Sequence, residues 1–293
     1  MNDVALFHPR LARRRALGRL FYGLCFLLSV IGIVVLGVLI VRVAQHGGQW
    51  LSWQFLKARP STLNPTSSGV YLGLWGTVYL LILTALIAIP TGVGAAIYLQ
   101  EYAGNNRLTR FIRLNIANLA GVPSIVYGIL GMAIFVRWFT LGESVLSGAL
   151  TLSLLILPVI IIASQEALSA VPNSIRLAAY SLGATRWQVV RHHVLPAAIP
   201  SICTGVILAL SRAVGETAPL IMIGAVGFQR SVPMSPLDRF TALPIQIYGW
   251  TAEALPIFHE LAAAGILVLL AVLLVANAIA IGIRGTQQRK KLQ

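Results

Sequence analysis

Charged residues are scarce in this sequence, and their scarcity argues against an ordinary soluble domain. Asp, Glu, Lys and Arg together make up 10% of the 293 residues, whereas about a quarter is usual for a soluble protein. Hydrophobic residues make up 57% of the chain, and its mean hydropathy is +0.83. This composition predicts an integral membrane protein.

Acidic residues number only eight against 22 basic ones, and only three of the basic residues are lysines. The resulting net charge of +14 is of the kind seen in nucleic-acid-binding proteins. However, the arginines are scattered and mostly flank apolar segments, where the orientation of membrane helices requires positive charge. We therefore interpret the charge as a sign of membrane topology rather than of nucleic-acid binding.

Cysteine is almost absent, and the familiar catalytic motifs are missing. Cys25 and Cys203 each lie in an apolar run, which predicts small buried side chains rather than a disulfide framework. The sequence contains no G-x-x-x-x-G-K-[ST] loop for ATP, no H-E-x-x-H and no C-x-x-C. His192 and His193 are neighbours that would diverge by about 100° on a helix, a poor geometry for chelating a metal. We therefore expect a non-catalytic chain that binds no metal and no cofactor of its own.

Six apolar segments are long enough to cross a bilayer core, which takes about 20 helical residues. They are Leu20–Val41, Gly73–Leu99 within the uncharged run Pro60–Gln100, Leu114–Val136, Val145–Gln165, Ala197–Ile223 and Leu261–Ile283. The alternating segments of about ten residues that mark membrane β-strands are absent. The predicted fold class is an all-α membrane protein with six transmembrane helices.

Positive charge sets the predicted orientation of these spans. With the N-terminus inside, 15 of the 22 Arg and Lys residues fall on the inner side, six lie outside, and Arg212 lies within a span. Both termini are therefore predicted to be cytoplasmic. The run Arg13–Arg15 is also found in twin-arginine export signals. Here a full-length span follows it, and Arg42 stands where a cleavage site would be expected, so an uncleaved first helix fits better.

Two outer segments have a distinct character. Between the first two spans, Trp50, Trp53 and Phe55 are typical of aromatic anchors at a membrane surface. Before the sixth span, the segment 227–256 contains four prolines and is too long for a simple turn. It is either re-entrant or a docking surface.

The inner loop 166–196 is polar, yet its pattern is regular. Apolar residues recur at near-helical spacing on both sides of Gly183, which can adopt a positive φ and end the first of two helices. Pro196 then restarts the chain at the fifth span. The pattern predicts a helix–turn–helix at the membrane face, and the simplest alternative is an amphipathic hairpin lying on that surface.

Residues 177–196, LAAYSLGATRWQVVRHHVLP, resemble the cytoplasmic coupling loop with which ABC importer permeases grip their ATPase. The pattern of that family is E-A-A, three residues, Gly, nine residues, then I-x-L-P. The residues that match it in register are Ala178, Ala179, Gly183, Leu195 and Pro196. Leu177 stands where the family usually has Glu, and His193 stands where it often has Ile.

Two further stretches narrow the resemblance. They are AGVPSIVYGILG at 120–131 and SRAVGETAPL at 211–220. Together with the loop, they look like the permease subunits of high-affinity phosphate importers, PstA and PstC. The resemblance covers about Tyr71 to Arg284 and is closest to PstA. It implies the type I ABC importer (MetI-like) fold, with spans two to six as the shared core.

The same resemblance implies partners and a division of the chain. The partners are a PstC-like paralogous permease, PstB-like ATPase subunits that use the ATP, and an external PstS-like phosphate-binding protein. The division is a tail, first span and outer segment over 1–70, a permease domain over 71–284, and a basic tail over 285–293.

Arg212 and Glu216 are two charges in the otherwise apolar fifth span. Arg212 lies about 15 residues into it, or roughly 22 Å, which is past the midplane. An unpaired charge there costs about 2.5–3.5 kcal/mol, so neither side chain is expected to face lipid. They form either a structural i, i+4 pair or a substrate pathway. In the second interpretation Arg212 contacts an oxyanion and Glu216 holds an arginine when the anion is absent, with Gly215 and Pro219 letting the helix bend.

Other substrates and mechanisms stay open at this point. The coupling loop alone does not separate phosphate from sulfate, molybdate or tungstate. A stand-alone secondary carrier or channel is a different class, which dependence on a separate ATPase would exclude.

Overall fold

Helices account for the regular structure of this chain. The computed structural model describes residues 9–225, 229 and 231–289, and within them it contains no strand and one isolated bridge, Ser144–Arg239. The helices are α1 (Pro9–Gly47), α2 (Trp53–Lys57), α3 (Tyr71–Ile97), α4 (Arg107–Ala120), α5 (Ser124–Gly131), α6 (Val145–Ser169), α7 (Asn173–Ser181), α8 (Arg186–Val189), α9 (Leu195–Gly215), α10 (Ala218–Met222), α11 (Leu243–Thr251) and α12 (Pro256–Arg289). Turns of 3-10 helix occupy Gly48–Trp50 and Pro65–Ser67, and π-helical turns occupy Tyr98–Tyr102, Met132–Trp138 and Val190–Val194. The two ends of the chain, 1–8 and 290–293, and Arg230 lie outside the described residues.

Five helical segments of the described chain are long and apolar enough to cross a membrane. They are Arg14–Trp50, Tyr71–Tyr102, Val145–Ser169, Arg186–Gly215 and Pro256–Ile279. A sixth crossing exists if Arg107–Ala120 and Ser124–Trp138 are counted together. These segments overlap all six predicted spans, and the all-α membrane fold is confirmed.

The third predicted span, Leu114–Val136, is wrong as a single straight helix. The chain turns by 103° between α4 and α5. Pro123 is the N-cap of α5, with an extended ψ of 138°. A proline has no N–H to continue the hydrogen bonds of α4 and disfavours helical backbone at the preceding Val122, so the bend falls at this position. The amphipathic α4 is mostly exposed, as suits a helix on a membrane surface, whereas α5 is apolar and contacts α6.

The fifth predicted span, Ala197–Ile223, differs from the structure at both ends. The helix is continuous from Arg186 to Gly215, so the prediction that Pro196 restarts the chain is wrong. A π-helical turn over Val190–Val194 precedes Pro196, and this wider turn accommodates a residue that cannot donate a backbone hydrogen bond. At the other end the helix stops at Gly215, and α10 follows as a separate short helix.

Helix α6 is the centre of the bundle. In an apolar stretch of 18 residues within α6, 67% of the residues are buried, against 28% or less in the corresponding stretches of the other four long segments. Ile156 of α6, Ala88 of α3 and Ala209 of α9 belong to one buried cluster. Helix α1 lies outside this core, since no residue in its apolar stretch of 18 residues is buried. It contacts α12 where Gly47 lies against Ala263. The framework of the protein is therefore α3, α6 and α9.

The described part of the segment 227–256, which is residue 229 and residues 231–256, folds back onto the protein, while 227, 228 and 230 lie outside the described residues. Helix α11 is mostly buried and shares a core cluster with α12. The backbone N–H of Leu243 donates to Thr77 Oγ1 over 2.8 Å, and Gln246 Nε2 donates to the carbonyl of Gly69 over 2.8 Å. Of the two predicted alternatives, a re-entrant segment fits this attachment to the start of α3 better than a free docking loop does.

Two neighbouring glycines of α3 test its close approach to α6. A Cβ at Gly92 would lie 2.7 Å from Cγ2 of the buried Ile160, whereas a Cβ at Gly94 would meet nothing within 4 Å. We expect Gly92→Ala to lower the thermal unfolding midpoint in detergent, because overpacking costs about 1–3 kcal/mol. Gly94→Ala is the control and should not lower it. Equal midpoints for the two variants would contradict this packing.

Candidate functional site

The fifth span is interrupted at the charges that the sequence singled out. Helix α9 ends at Gly215, and Glu216 already has extended backbone, with φ −74° and ψ 117°. Helix α10 then begins, with Pro219 in its first turn. The predicted bend beside Gly215 and Pro219 is thus a full break in the helix, which leaves backbone groups near Glu216 outside a regular hydrogen-bonded helix.

Arg212 and Glu216 form an ion pair across the end of α9. Arg212 Nε lies 3.2 Å from Glu216 Oε1, and the side chains are 49% and 16% exposed, respectively. Arg212 occupies the last turn of the helix, where a cation interacts favourably with the helix dipole. Because Glu216 lies beyond the helix, the pair is not an ordinary i, i+4 pair on a helical face. Within the described chain, the terminal nitrogens of Arg212 make no hydrogen bond.

The two stretches that carried the phosphate-importer resemblance meet beside this pair. A Cβ at Gly128 of α5 would lie 2.7 Å from Pro219 Cα of α10, so only a residue without a side chain fits this contact. Tyr127 donates its hydroxyl to the carbonyl of Leu119 over 2.8 Å, across the bend between α4 and α5. Sequence reasoning assigned Gly128 no role, and its closeness to Pro219 is a contact that sequence spacing does not reveal.

A tight hairpin connects α6 to the continuous helix that contains α9. Gly183 has a φ of +80°, as the sequence predicted. Its N–H donates to the carbonyl of Tyr180 over 2.9 Å, and the N–H of Ala184 donates to that of Ala179 over 3.2 Å; this is a Schellman-type helix end. Thr185 and its third neighbour, Gln188, form a capping box that starts α8. The predicted helix–turn–helix is confirmed.

The residues predicted for the coupling loop differ in their exposure. Ala178 and Gly183 are exposed, Ala179 is buried, and Leu195 and Pro196 are intermediate. They mostly shape the hairpin, while larger apolar side chains form its outer surface. The most exposed of these are Leu177, Leu182 and Trp187, with Leu182 at 89%. The basic residues Arg186, Arg191, His192 and His193 are exposed on the same hairpin.

Sequence reasoning missed a largely buried ion pair at the base of this hairpin. Arg176 of α7 contacts Glu101, at the π-helical end of α3, with Nη2 2.7 Å from Oε1. The side chains are 14% and 9% exposed. The sequence offered one signal for it: Glu101 is the first charged residue after the uncharged run Pro60–Gln100.

The end of α6 opposite the hairpin holds a third ion pair, which is exposed. Arg239 Nη2 lies 3.6 Å from Glu143, and the side chains are 73% and 37% exposed. The neighbouring Asp238 accepts hydrogen bonds from the backbone N–H groups of Ser235 and Met234, and these bonds lower the pKa of its carboxyl below the ordinary value. Among the described residues, no three His, Cys, Asp or Glu side chains are grouped to hold a metal ion.

Comparison with known families identifies the class of this membrane protein. The family described as "Binding-protein-dependent transport system inner membrane component" matches residues 88–285. The match covers more than half of the chain, including α6, the hairpin, α9 and α10. The chain therefore belongs to this family and is a multi-pass membrane protein.

Individual relatives narrow the comparison within the family. The chain is 35% identical over 283 residues to the probable ABC transporter permease protein YqgI of Bacillus subtilis (strain 168), covering 92% of this chain and 95% of the relative. It is 32% identical over 247 residues to the phosphate transport system permease protein PstA 1 of Mycobacterium tuberculosis (strain CDC 1551 / Oshkosh), covering 83% and 80%. It is 31% identical over 268 residues to PstA of Pasteurella multocida (strain Pm70), covering 91% and 94%.

Solved structures share the fold. The methionine ABC transporter MetNI, in an inward-facing conformation, contains a chain that superposes with a TM-score of 0.61 at 18% identity, covering 73% of this chain and 94% of that one. A bacterial ABC importer of alginate superposes with a TM-score of 0.65 at 14% identity, covering 94% and 99%. The predicted MetI-like importer fold is thereby confirmed.

Proposed function

We propose that this chain is the permease subunit of an ATP-driven importer of inorganic phosphate, and that it forms the translocation path together with a second, PstC-like permease. The observation that carries this proposal is the ion pair Arg212–Glu216 at the break between α9 and α10. The similarity to PstA permeases over most of the chain supports phosphate as the substrate.

Arg212 has the chemistry and the exposure that an anion contact needs. Its guanidinium is planar and permanently charged, and its donors match the oxygens of a phosphate. About half of the side chain is exposed in the isolated chain, and only its Nε is bonded to Glu216. A charge in this state at membrane depth must face a water-filled path or a partner subunit, because exposure to lipid is too costly.

Glu216 provides a reason why phosphate would not be trapped. A bare arginine in a low-dielectric path would hold an oxyanion strongly, whereas conduction requires a site that also releases it. Because Glu216 lies beyond the end of α9, its carboxylate can hold the Arg212 guanidinium when the anion has left. In this scheme phosphate and Glu216 compete for the same donors.

The hairpin supplies the surface for the ATPase. In the proposed orientation it faces the cytoplasm, and both termini lie on the same side. Its exposed Leu177, Leu182 and Trp187 are large apolar side chains of the kind that anchor protein interfaces, and Arg186 and Arg191 add positive charge beside them. PstB-like ATPase subunits would bind and hydrolyse the ATP, and a PstS-like binding protein would deliver phosphate from outside. This chain itself is non-catalytic and binds no cofactor.

Two alternative functions share parts of this evidence. Sulfate, molybdate and tungstate are also oxyanions that an arginine can contact, so the same site would serve an importer of one of them. A stand-alone carrier or channel would use the path without the ATPase. The exposed apolar surface of the hairpin favours a partner-driven mechanism over that alternative.

Replacing Arg212 tests the substrate contact. We expect Arg212→Gln to reduce phosphate uptake by about tenfold or more, because a hydrogen bond to a charged group contributes about 1.5–3 kcal/mol. The measurement is uptake of labelled phosphate by cells or vesicles in which the complex is shown to be assembled. Arg239→Gln is the control, since it removes an equally charged but exposed arginine. Normal uptake by the assembled Arg212→Gln complex would contradict the role of Arg212 in the pathway.

Gly183 tests the hairpin as the ATPase-binding element. A Cβ at Gly183 would meet nothing within 4 Å, so any effect of a substitution comes from its φ of +80°. We expect Gly183→Val to reduce co-purification of the ATPase, because a β-branched residue strongly disfavours positive φ. Gly183→Asn should retain it, since asparagine tolerates this conformation. Wild-type recovery of the ATPase with Gly183→Val would count against the assignment.

A further inference from the structure

The part-buried guanidinium of Arg176 joins three segments of the chain. It is bonded to both carboxylate oxygens of Glu101, with Nη2–Oε1 at 2.7 Å and Nε–Oε2 at 3.3 Å. It also donates to the carbonyls of Leu168 and Val171 over 2.8 and 2.7 Å, and to Asn173 Oδ1 over 3.3 Å. Leu168 lies in the last turn of α6, where carbonyl groups lack partners within the helix and attract cations. Arg176 therefore connects α6, the start of the hairpin and α3.

Glu101 is the part of this network that belongs to α3. It lies in the π-helical turn Tyr98–Tyr102, which ends that helix; such turns occur frequently at functional positions. The next residue, Tyr102, makes a second contact with the hairpin, since the Arg186 guanidinium lies 5.4 Å from its ring centroid. Helix α7 is thus attached to Glu101 through Arg176, and α8 is attached to the neighbouring Tyr102 through Arg186.

Among the described residues, only the bonds to Glu101 connect Arg176 to the π-helical turn that ends α3. The carbonyls of Leu168 and Val171 and the Asn173 side chain lie within the α6–hairpin segment itself, so they would hold the guanidinium in place without Glu101. Helix α3 packs along α6 and is joined at its far end to α11, where Thr77 accepts the hydrogen bond from Leu243. A displacement of the hairpin that moves Glu101 therefore acts on a helix that crosses the whole membrane.

We propose that Glu101 and Arg176 are positioning residues that transmit movement of the hairpin to α3, and so link ATP hydrolysis to opening of the phosphate path. This inference rests on the proposed function of the hairpin as the ATPase-binding element. The pair touches neither phosphate nor ATP. Its bidentate geometry and burial make the connection stiff, because a buried carboxylate that loses its guanidinium is left uncompensated.

The test separates transmission from assembly. The complete importer, with its second permease, ATPase and binding protein, is reconstituted in vesicles with wild-type chain or Glu101→Gln. We expect Glu101→Gln to retain co-purification of the ATPase and to lower the phosphate taken up per ATP hydrolysed by about tenfold, within the range of 5–150-fold for coupling between distant sites. Glu101→Asp keeps the charge and should restore most of this ratio. Glu143→Gln breaks the exposed pair with Arg239 and should leave the ratio unchanged.

Three results would overturn the inference. An unchanged ratio of phosphate to ATP in Glu101→Gln would mean that the pair only stabilises the fold. Loss of the ATPase from a membrane-inserted Glu101→Gln chain would mean that the pair supports docking rather than transmission, and Arg176→Lys, which keeps a positive charge at that position, would then lose the ATPase less completely. A wild-type chain that neither captures the ATPase nor supports uptake would refute the proposed function itself, and with it this inference.

Discussion

The absence of water in the hydrocarbon core is the constraint on which this structure depends. Every backbone N–H and C=O at that depth must be bonded within the protein, so the spans are helices, and irregular backbone is tolerated only inside protein or beside a water-filled cavity. The break after Gly215 interrupts a span, and it coincides with Arg212 and Glu216. A helix break or a charged side chain that faced lipid would each be costly. If both line a water-filled path, the break and the two charges are all compatible with this constraint.

Helix α6 packs against the helices on both sides of this break and leads into the hairpin. One end of α6 leads into the hairpin, and its length is packed between α3 and α9. Helix α5 also contacts α6, and Gly128 brings α5 against Pro219 just beyond the break. The hairpin and the break are therefore two parts of one packed unit, since α8 and α9 form a continuous helix from Arg186 to Gly215. Force on the hairpin has two helical routes into the membrane, along α9 directly and along α3 through Glu101.

The sequence predicted those features that depend on composition or on one residue's backbone. The lengths of the apolar segments located the spans. A glycine between two segments of helical periodicity commonly ends the first helix with a positive φ, and Gly183 does so. The sequence did not predict which prolines interrupt a helix. Pro123 accompanies a 103° turn, whereas Pro196 lies in a continuous helix because a π-helical turn precedes it. A proline in the sequence is compatible with either a turn or a continuous helix, and the surrounding packing decides between the two.

The candidate site was also predictable only in part. Arg212 and Glu216 stood out because charges are rare in an apolar run, and their pairing followed from their spacing, although Glu216 lies outside the helix that this spacing assumed. Glu101 and Arg176 are 75 residues apart in the sequence, and no local pattern relates residues at that separation. Their contact follows from the packing of α3 along α6, which is a property of the folded chain.

The central claim is that this chain forms a phosphate path driven by a separate ATPase. The most direct measurement is uptake of labelled phosphate into vesicles of known orientation that contain the second permease, the ATPase and the binding protein. Uptake is compared with and without this chain, and with and without ATP. The account predicts uptake only when this chain and ATP are both present, and inhibition by unlabelled phosphate but not by sulfate or molybdate. Uptake that proceeds without ATP, or that sulfate or molybdate suppresses as well as phosphate does, would contradict it.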